Sequence, residues 1–160
     1  KLGGGYLDNT IYNTATPHHT SAQVAGAGPR RHNGAWDVNG MVSWRGFDLQ
    51  AEYTSTVKDW PATSHPVSTL TVQGRYTTTI LGWETIVSAG FSRGEQGKDG
   101  TNWHEMRQIV AGLEVKPHKQ LSLMAEYAHL SGFVPLIAIQ RVADPTVTSD
   151  VWVFGARAHF

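Results

Sequence analysis

Paired aromatic residues, eight positions apart on one face of an alternating segment, constrain the fold of this chain more than any other feature. The final segment, Ser149–Phe160 (SDVWVFGARAHF), alternates strictly between two faces and carries β-branched and aromatic residues, which predicts a β-strand. Eight residues of strand extend roughly 27 Å, or about 20 Å vertically at a tilt of about 40°. That height approaches the apolar band, about 25 Å tall, of an outer-membrane β-barrel. We therefore predict an aromatic membrane girdle of three pairs: Trp36 and Trp44, Trp83 and Phe91, and Trp152 and Phe160.

The rest of the chain repeats this two-residue alternation, which predicts about eight strands in an all-β fold. Three tight turns are predicted at Arg45–Gly46, Leu81–Gly82 and Lys116–Lys119, and longer loops separate them. Pro117 is assigned to the last turn, because proline cannot donate to a sheet ladder. Short turns on one rim and long loops on the other are typical of antiparallel up-and-down transmembrane β-barrels. In such a barrel the final strand pairs with the first, within Lys1–Tyr12, and no edge is left open to lipid.

Composition narrows the classes of function. Lys and Arg together number 13, as do Asp and Glu, so the net charge gives no general attraction to nucleic acid. Cysteine is absent, which excludes disulfides and thiolate metal sites. The nucleophile, zinc-protease and phosphate-loop motifs of common enzymes are missing, so we expect neither catalytic residues nor a cofactor. The length of 160 residues fits a single barrel domain over positions 1–160.

The polar face of the predicted strands carries charged residues, which we assign to a lumen ion-pair network. If the barrel is small and closed, its buried charges must be paired, because eight strands leave room only for side chains. If the barrel is wider, the same residues line a water-filled pore with a mildly acidic bias. Counting residues along each strand from its short turn puts Glu52, Arg75 and Glu126 at a similar height in the barrel. The predicted network comprises Asp48, Glu52, Arg75, Glu84, Glu114, Glu126 and Arg157.

Three features need separate interpretation. Arg107 falls on the apolar face, where arginine at mid-membrane costs about 2–4 kcal/mol, so we expect it at the outer interface or after a β-bulge. Histidines gather in the loops, notably His18, His19 and His32, but neighbouring histidines in solvated loops are commonly unspecialised, and we assign no metal site. The last loop contains the apolar run 133–139 (FVPLIAI), which predicts contact with a partner protein or another protomer.

Several segments resemble outer-membrane porins, namely GFDLQAEY (46–53), LSLMAEYAH (121–129) and the terminal FGARAHF. The likeness is to phosphate-selective porins and to the legiobactin-type siderophore porin family, and it covers roughly Trp36 to Phe160. It implies a Gram-negative outer-membrane location, contact with lipid and lipopolysaccharide, and passive solute passage. Barrels of those families have about twice as many strands. The chain is therefore either a small closed barrel or the C-terminal half of a larger one, and no ligand-binding residue of those families corresponds to a position here.

Three functions stay open. The first is a porin-like barrel for passive solute passage. The second is a small closed barrel with a structural or surface-interaction role that acts through its long loops. The third is a soluble β-barrel that binds an apolar ligand inside, and the polar inner face argues against it. The porin-like segments favour the first function, and the number of strands favours the second.

Overall fold

A computed structural model describes residues 1–10, 32–60, 63–98, 104–132 and 147–158 of the chain. These residues form one antiparallel sheet of eight strands, in which each strand pairs with the next along the chain. The prediction of an all-β, up-and-down arrangement of eight strands is confirmed. The strands are β1 (Leu2–Leu7), β2 (Ala35–Trp44), β3 (Phe47–Thr56), β4 (Ser68–Ile80), β5 (Trp83–Glu95), β6 (Glu105–His118), β7 (Leu121–Gly132) and β8 (Val147–Ala158).

Two of the three short turns depend on glycine. Arg45 and Gly46 have φ angles of 45° and 83°, and Leu81 and Gly82 have φ angles of 53° and 83°. Positive φ at both central residues defines a type I′ turn, whose twist matches the twist of the two strands it joins. These turns fix the register of β2 with β3 and of β4 with β5, and they lie where the sequence predicted them.

The position of Pro117 corrects the predicted turn at Lys116–Lys119. Strand β6 continues to His118, so Pro117 lies within the strand and not outside the sheet. The ladder between β6 and β7 shifts register between Val115 and His118. A bulge tolerates proline, because the bulged residue is not required to donate to the ladder. A regular ladder would have ended the strand before Pro117, and the bulge is the reason that β6 extends further.

Within the described strands, the two ends of the sheet do not pair with each other. Among the described residues β1 contacts β2 alone and β8 contacts β7 alone, so the predicted pairing of the last strand with Lys1–Tyr12 is not formed there. Strand β1 is short, and its ladder runs from Leu2 opposite Gly40 to Leu7 opposite Ala35. The described sheet therefore has two free edges, and each presents a row of unpaired backbone N–H and C=O groups.

The sheet reverses the usual distribution of apolar residues. Trp60 and Val67, both in the connection between β3 and β4, are the only buried apolar residues among those the structure describes. By contrast, Trp44 is 67% exposed and Trp152 is 64% exposed. Soluble domains bury most of their large apolar side chains, so this sheet has no core of the ordinary kind. Nowhere in the described ranges is there a helix long and apolar enough to cross a bilayer.

Substitutions at the two type I′ turns separate backbone strain from steric conflict. We expect Gly46→Ala to destabilise the sheet more than Gly82→Ala, although both glycines have a φ of 83°. A Cβ at Gly46 would lie 2.7 Å from the carbonyl oxygen of Thr77, whereas a Cβ at Gly82 would have no neighbour within 4 Å. Gly82→Ala thus reports the conformational cost alone, roughly 1–2 kcal/mol. Urea titration in detergent micelles measures both free energies of unfolding, and equal losses would contradict the expectation.

Candidate functional site

One side of the sheet, the polar face, carries every residue of the predicted ion-pair network. Strand alternation and register place Asp48, Arg75, Glu84, Glu114 and Glu126 on this side, together with Glu52 and Arg157. A concave cavity of about 610 Å³ lies over the middle of the face. Its lining is mostly polar and small, and comprises Met41, Asp48, Gln50, Thr71, Gln73, Gly74, Arg75, Ser88, Ala89, Gly90, Ser92, Gln108, Val110 and Glu126.

The best-defined interaction on the polar face joins Asp48 to Arg75. The two residues are directly opposite each other in the ladder between β3 and β4. Arg75 donates from Nη2 to Asp48 Oδ2 at 2.9 Å and from Nε to the same oxygen at 3.3 Å. Glu52 faces Thr71 instead. Counting from the turns grouped Arg75 with Glu52, and that count misses the stagger between neighbouring strands.

A second ion pair on the polar face includes Lys116, which is not part of the predicted network. Lys116 Nζ lies 2.7 Å from Glu84 Oε1, and the two residues are opposite each other in the ladder between β5 and β6. Because Pro117 follows it, the sequence predicts Lys116 in a turn. The bulge keeps Lys116 in the strand, on the same face as Glu84. The alternation of β6, extended past Val115, would have found this residue.

The other predicted residues do not join these pairs. Glu52 accepts a hydrogen bond from Thr54 Oγ1 at 3.3 Å, from its own strand. Within the described ranges Glu126 and Arg157 form no ion pair. The polar face therefore holds two separate ion pairs, and the described residues do not extend them into a continuous network.

The opposite side of the sheet, the apolar face, carries the predicted aromatic girdle. Trp36, Trp44, Trp83, Phe91 and Trp152 all lie on it and are all at least 37% exposed. Neighbouring rings support some of them: the Trp36 and Tyr53 centroids are 5.5 Å apart, and those of Tyr127 and Trp152 are 4.9 Å apart. Phe160 lies outside the described residues.

The apolar face changes to polar at a corresponding point on successive strand pairs. On β5 and β6, Phe91 opposite Ile109 is followed on that face by Arg93 opposite Arg107. On β7 and β8, Tyr127 opposite Trp152 is followed by His129 opposite Asp150. On β3 and β4, Tyr53 opposite Leu70 is followed by Ser55 opposite Ser68. The polar residues in all three cases lie toward the longer connections.

Arg107 belongs to a charged cluster at this end of the apolar face. Glu105 contacts the guanidinium groups of both Arg93 and Arg107, and Glu95 lies 2.5 Å from Arg93 Nη2. The ladder with β5 runs regularly through Arg107, so the predicted alternative of a bulge before Arg107 is wrong. Arg107 lies near the start of β6, at the end of the strand that adjoins the longer connection. The side chains of Glu95, His104 and Glu105 each have an oxygen or nitrogen atom that could coordinate a metal ion, and these atoms lie within 4.8 Å of one another. Both carboxylates, however, already have arginine partners.

A second polar group on the apolar face was not predicted. Tyr127 donates its hydroxyl to Asp150 Oδ1 at 2.5 Å, and His129 Nδ1 lies 2.8 Å from the same oxygen. The signal was available in the sequence, because Asp150 and His129 fall on the apolar face of segments that were otherwise assigned correctly. The apolar run 133–139 and the histidines His18 and His19 lie outside the described residues.

Comparison with known proteins adds no relatives. No protein-family model, curated protein or solved structure matches the chain significantly.

The charged cluster gives a matched pair of substitutions. We expect Glu105→Gln to destabilise the sheet by about 1–3 kcal/mol, because it leaves Arg93 and Arg107 opposite each other without their shared counter-charge. Glu95→Gln should cost less, because Glu95 contacts Arg93 alone and is more exposed, with 28% against 13% of its side-chain surface accessible. Free energies of unfolding in detergent micelles test the order. A larger loss for Glu95→Gln would show that Glu105 does not bridge the two arginines.

Proposed function

We propose that the chain is a porin-like outer-membrane protein that lets polar solutes cross the bacterial outer membrane passively. The observation that carries the proposal is the reversed polarity of the sheet. Large apolar side chains are exposed on one face, and charged, amide and hydroxyl side chains line a cavity on the other. Such a sheet suits a wall between lipid and water, because lipid satisfies the apolar face and water satisfies the polar face.

The limits of the apolar face support a membrane location. The aromatic pairs Trp36 with Trp44 and Trp83 with Phe91 span about 20 Å vertically for a tilted strand. Beyond Phe91 the next residue on that face is Arg93, which contacts Glu95 and Glu105. Charged side chains belong at the interface with lipid headgroups, where their cost is about 0–1 kcal/mol. The cluster would meet the phosphate groups of lipid or lipopolysaccharide there.

The free edges favour a wide barrel over a small closed one. Strands β1 and β8 make no contact within the described residues, and a cavity of about 610 Å³ lies over the polar face. A closed barrel of eight strands has an interior filled by side chains. We therefore propose that these strands form part of the wall of a larger barrel, as in the C-terminal half of a porin. The alternative is a small closed barrel that acts through its loops.

A membrane location predicts that tryptophans on the apolar face are quenched by lipid. In variants that retain one tryptophan each, Trp44 and Trp83 should be quenched strongly when the protein is reconstituted with brominated lipids. Trp60 is the matched control, because it is only 3% exposed and lies in the connection between β3 and β4. Equal quenching of all three would contradict this orientation of the sheet. A protein that stays monomeric and soluble without detergent would refute the membrane location altogether.

Passive passage predicts conductance. Reconstituted protein should give stable open steps in planar bilayers, because the polar face and its cavity would line a water-filled path. The fold of the inserted protein is checked separately by heat-modifiable migration in gels. Correctly folded and inserted protein without conductance would refute the porin function and favour the closed barrel with a surface-interaction role.

A further inference from the structure

The cavity on the polar face contains an unbalanced carboxylate. One row of the sheet carries Asp48, Arg75, Ser88, Gly112 and Glu126 on successive strands from β3 to β7. The two middle positions are small, so the space between Arg75 and Glu126 is open, and both residues line the cavity. Short side chains on β5 and β6 thus form the floor of the cavity. The charged side chains of Arg75 on β4 and Glu126 on β7 form its two walls.

The positive charge on one wall is already compensated. Arg75 directs both Nε and Nη2 to Asp48, at 3.3 and 2.9 Å. Glu126 is exposed and forms no ion pair with any described residue. The other long polar side chains at the cavity, Gln50, Gln73 and Gln108, are neutral, and Gln73 donates to Gln50 at 3.2 Å. The cavity therefore carries a net negative charge that is centred on the β7 wall.

The whole polar face has the same sign. Within the eight strands, register assigns six carboxylates and three cationic groups to it. The ion pairs of Asp48 with Arg75 and of Glu84 with Lys116 remove two of each. Four unpaired carboxylates and one arginine, near the end of β8, then remain on this face. The remaining groups are Asp37, Glu52, Glu114, Glu126 and Arg157.

We infer that the solutes admitted by this face are cations, and that Glu126 is the residue that attracts them within the cavity. The inference rests on the proposed porin function. Acidic side chains that line a water-filled path concentrate cations and repel anions, because the low-dielectric wall focuses their field. Phosphate and other anions would be disfavoured, in contrast to what the resemblance to phosphate-selective porins implies.

The test is the reversal potential of the reconstituted protein in a potassium chloride gradient. We expect K⁺ to be more permeant than Cl⁻. Glu126→Gln should lower the permeability ratio several-fold, because removing a unit charge several ångströms from the path weakens both the attraction of K⁺ and the repulsion of Cl⁻. Glu52→Gln, two rows further along the same face, should lower it as well. Asp59→Asn is the matched control, because it removes the same charge from an exposed position in the connection between β3 and β4 and should leave the ratio unchanged.

The outcomes separate this inference from the porin function itself. Conductance that prefers Cl⁻, or that shows no preference, would overturn cation selectivity and leave passive passage intact. Cation preference that is unchanged in Glu126→Gln and lowered in Glu52→Gln would refute the role of Glu126. Absence of conductance from correctly folded, inserted protein would refute both proposals. Heat-modifiable migration of each variant ensures that a changed ratio reflects the removed charge and not a misfolded barrel.

Discussion

The hydrogen-bond ladder between neighbouring strands is the interaction on which this structure depends. Most folded domains combine such ladders with an apolar core, but here the buried apolar residues among those described are Trp60 and Val67, both outside the sheet's strands. The strands themselves touch each other only as neighbours in the sheet. The stabilisation that other domains gain by burying apolar side chains in a core must here come from contact between the apolar face and its surroundings. Exposed apolar surface of this extent is stable only when something apolar covers it.

The fold was readable from sequence because its pattern has a period of two. A one-residue shift would exchange the faces of an entire strand, so alternation specifies both the strand and its orientation. This is why the bounds Ala35–Trp44 were predicted correctly for β2, and why Gly46 and Gly82 located their turns. The error at Pro117 has the same origin. A bulge breaks the period, and a strand that continues past a bulge looks as if it has ended.

The ion-pair partners of the charged residues were harder to predict than the face on which each residue lies. The face depends only on alternation within one strand, whereas the partner depends on how two strands are aligned. Alternation assigned Asp48, Glu52 and Arg75 to one face, but only the stagger between β3 and β4 decides which carboxylate meets Arg75. That stagger depends on the turn and on the twist of both strands. The same limit applies on the apolar face. Arg107 was recognised as exceptional, but its partner Glu105 lies beyond the end of the predicted alternation.

The position at which the apolar face ends bears on how the sheet is completed. The aromatic spacing and the change from Phe91 to Arg93 mark the same end of the apolar face, so much of β8 would lie within lipid if the proposed location holds. Each unpaired backbone group costs several kcal/mol in hydrocarbon. A strand from Val147 to Ala158 with one bare edge would then lose far more than the roughly 5–15 kcal/mol that stabilises a typical domain. The edges of β1 and β8 therefore cannot stay free in a membrane. Since they do not pair with each other within the described residues, hydrogen bonds to further strands would satisfy these groups, which agrees with the wider barrel proposed above.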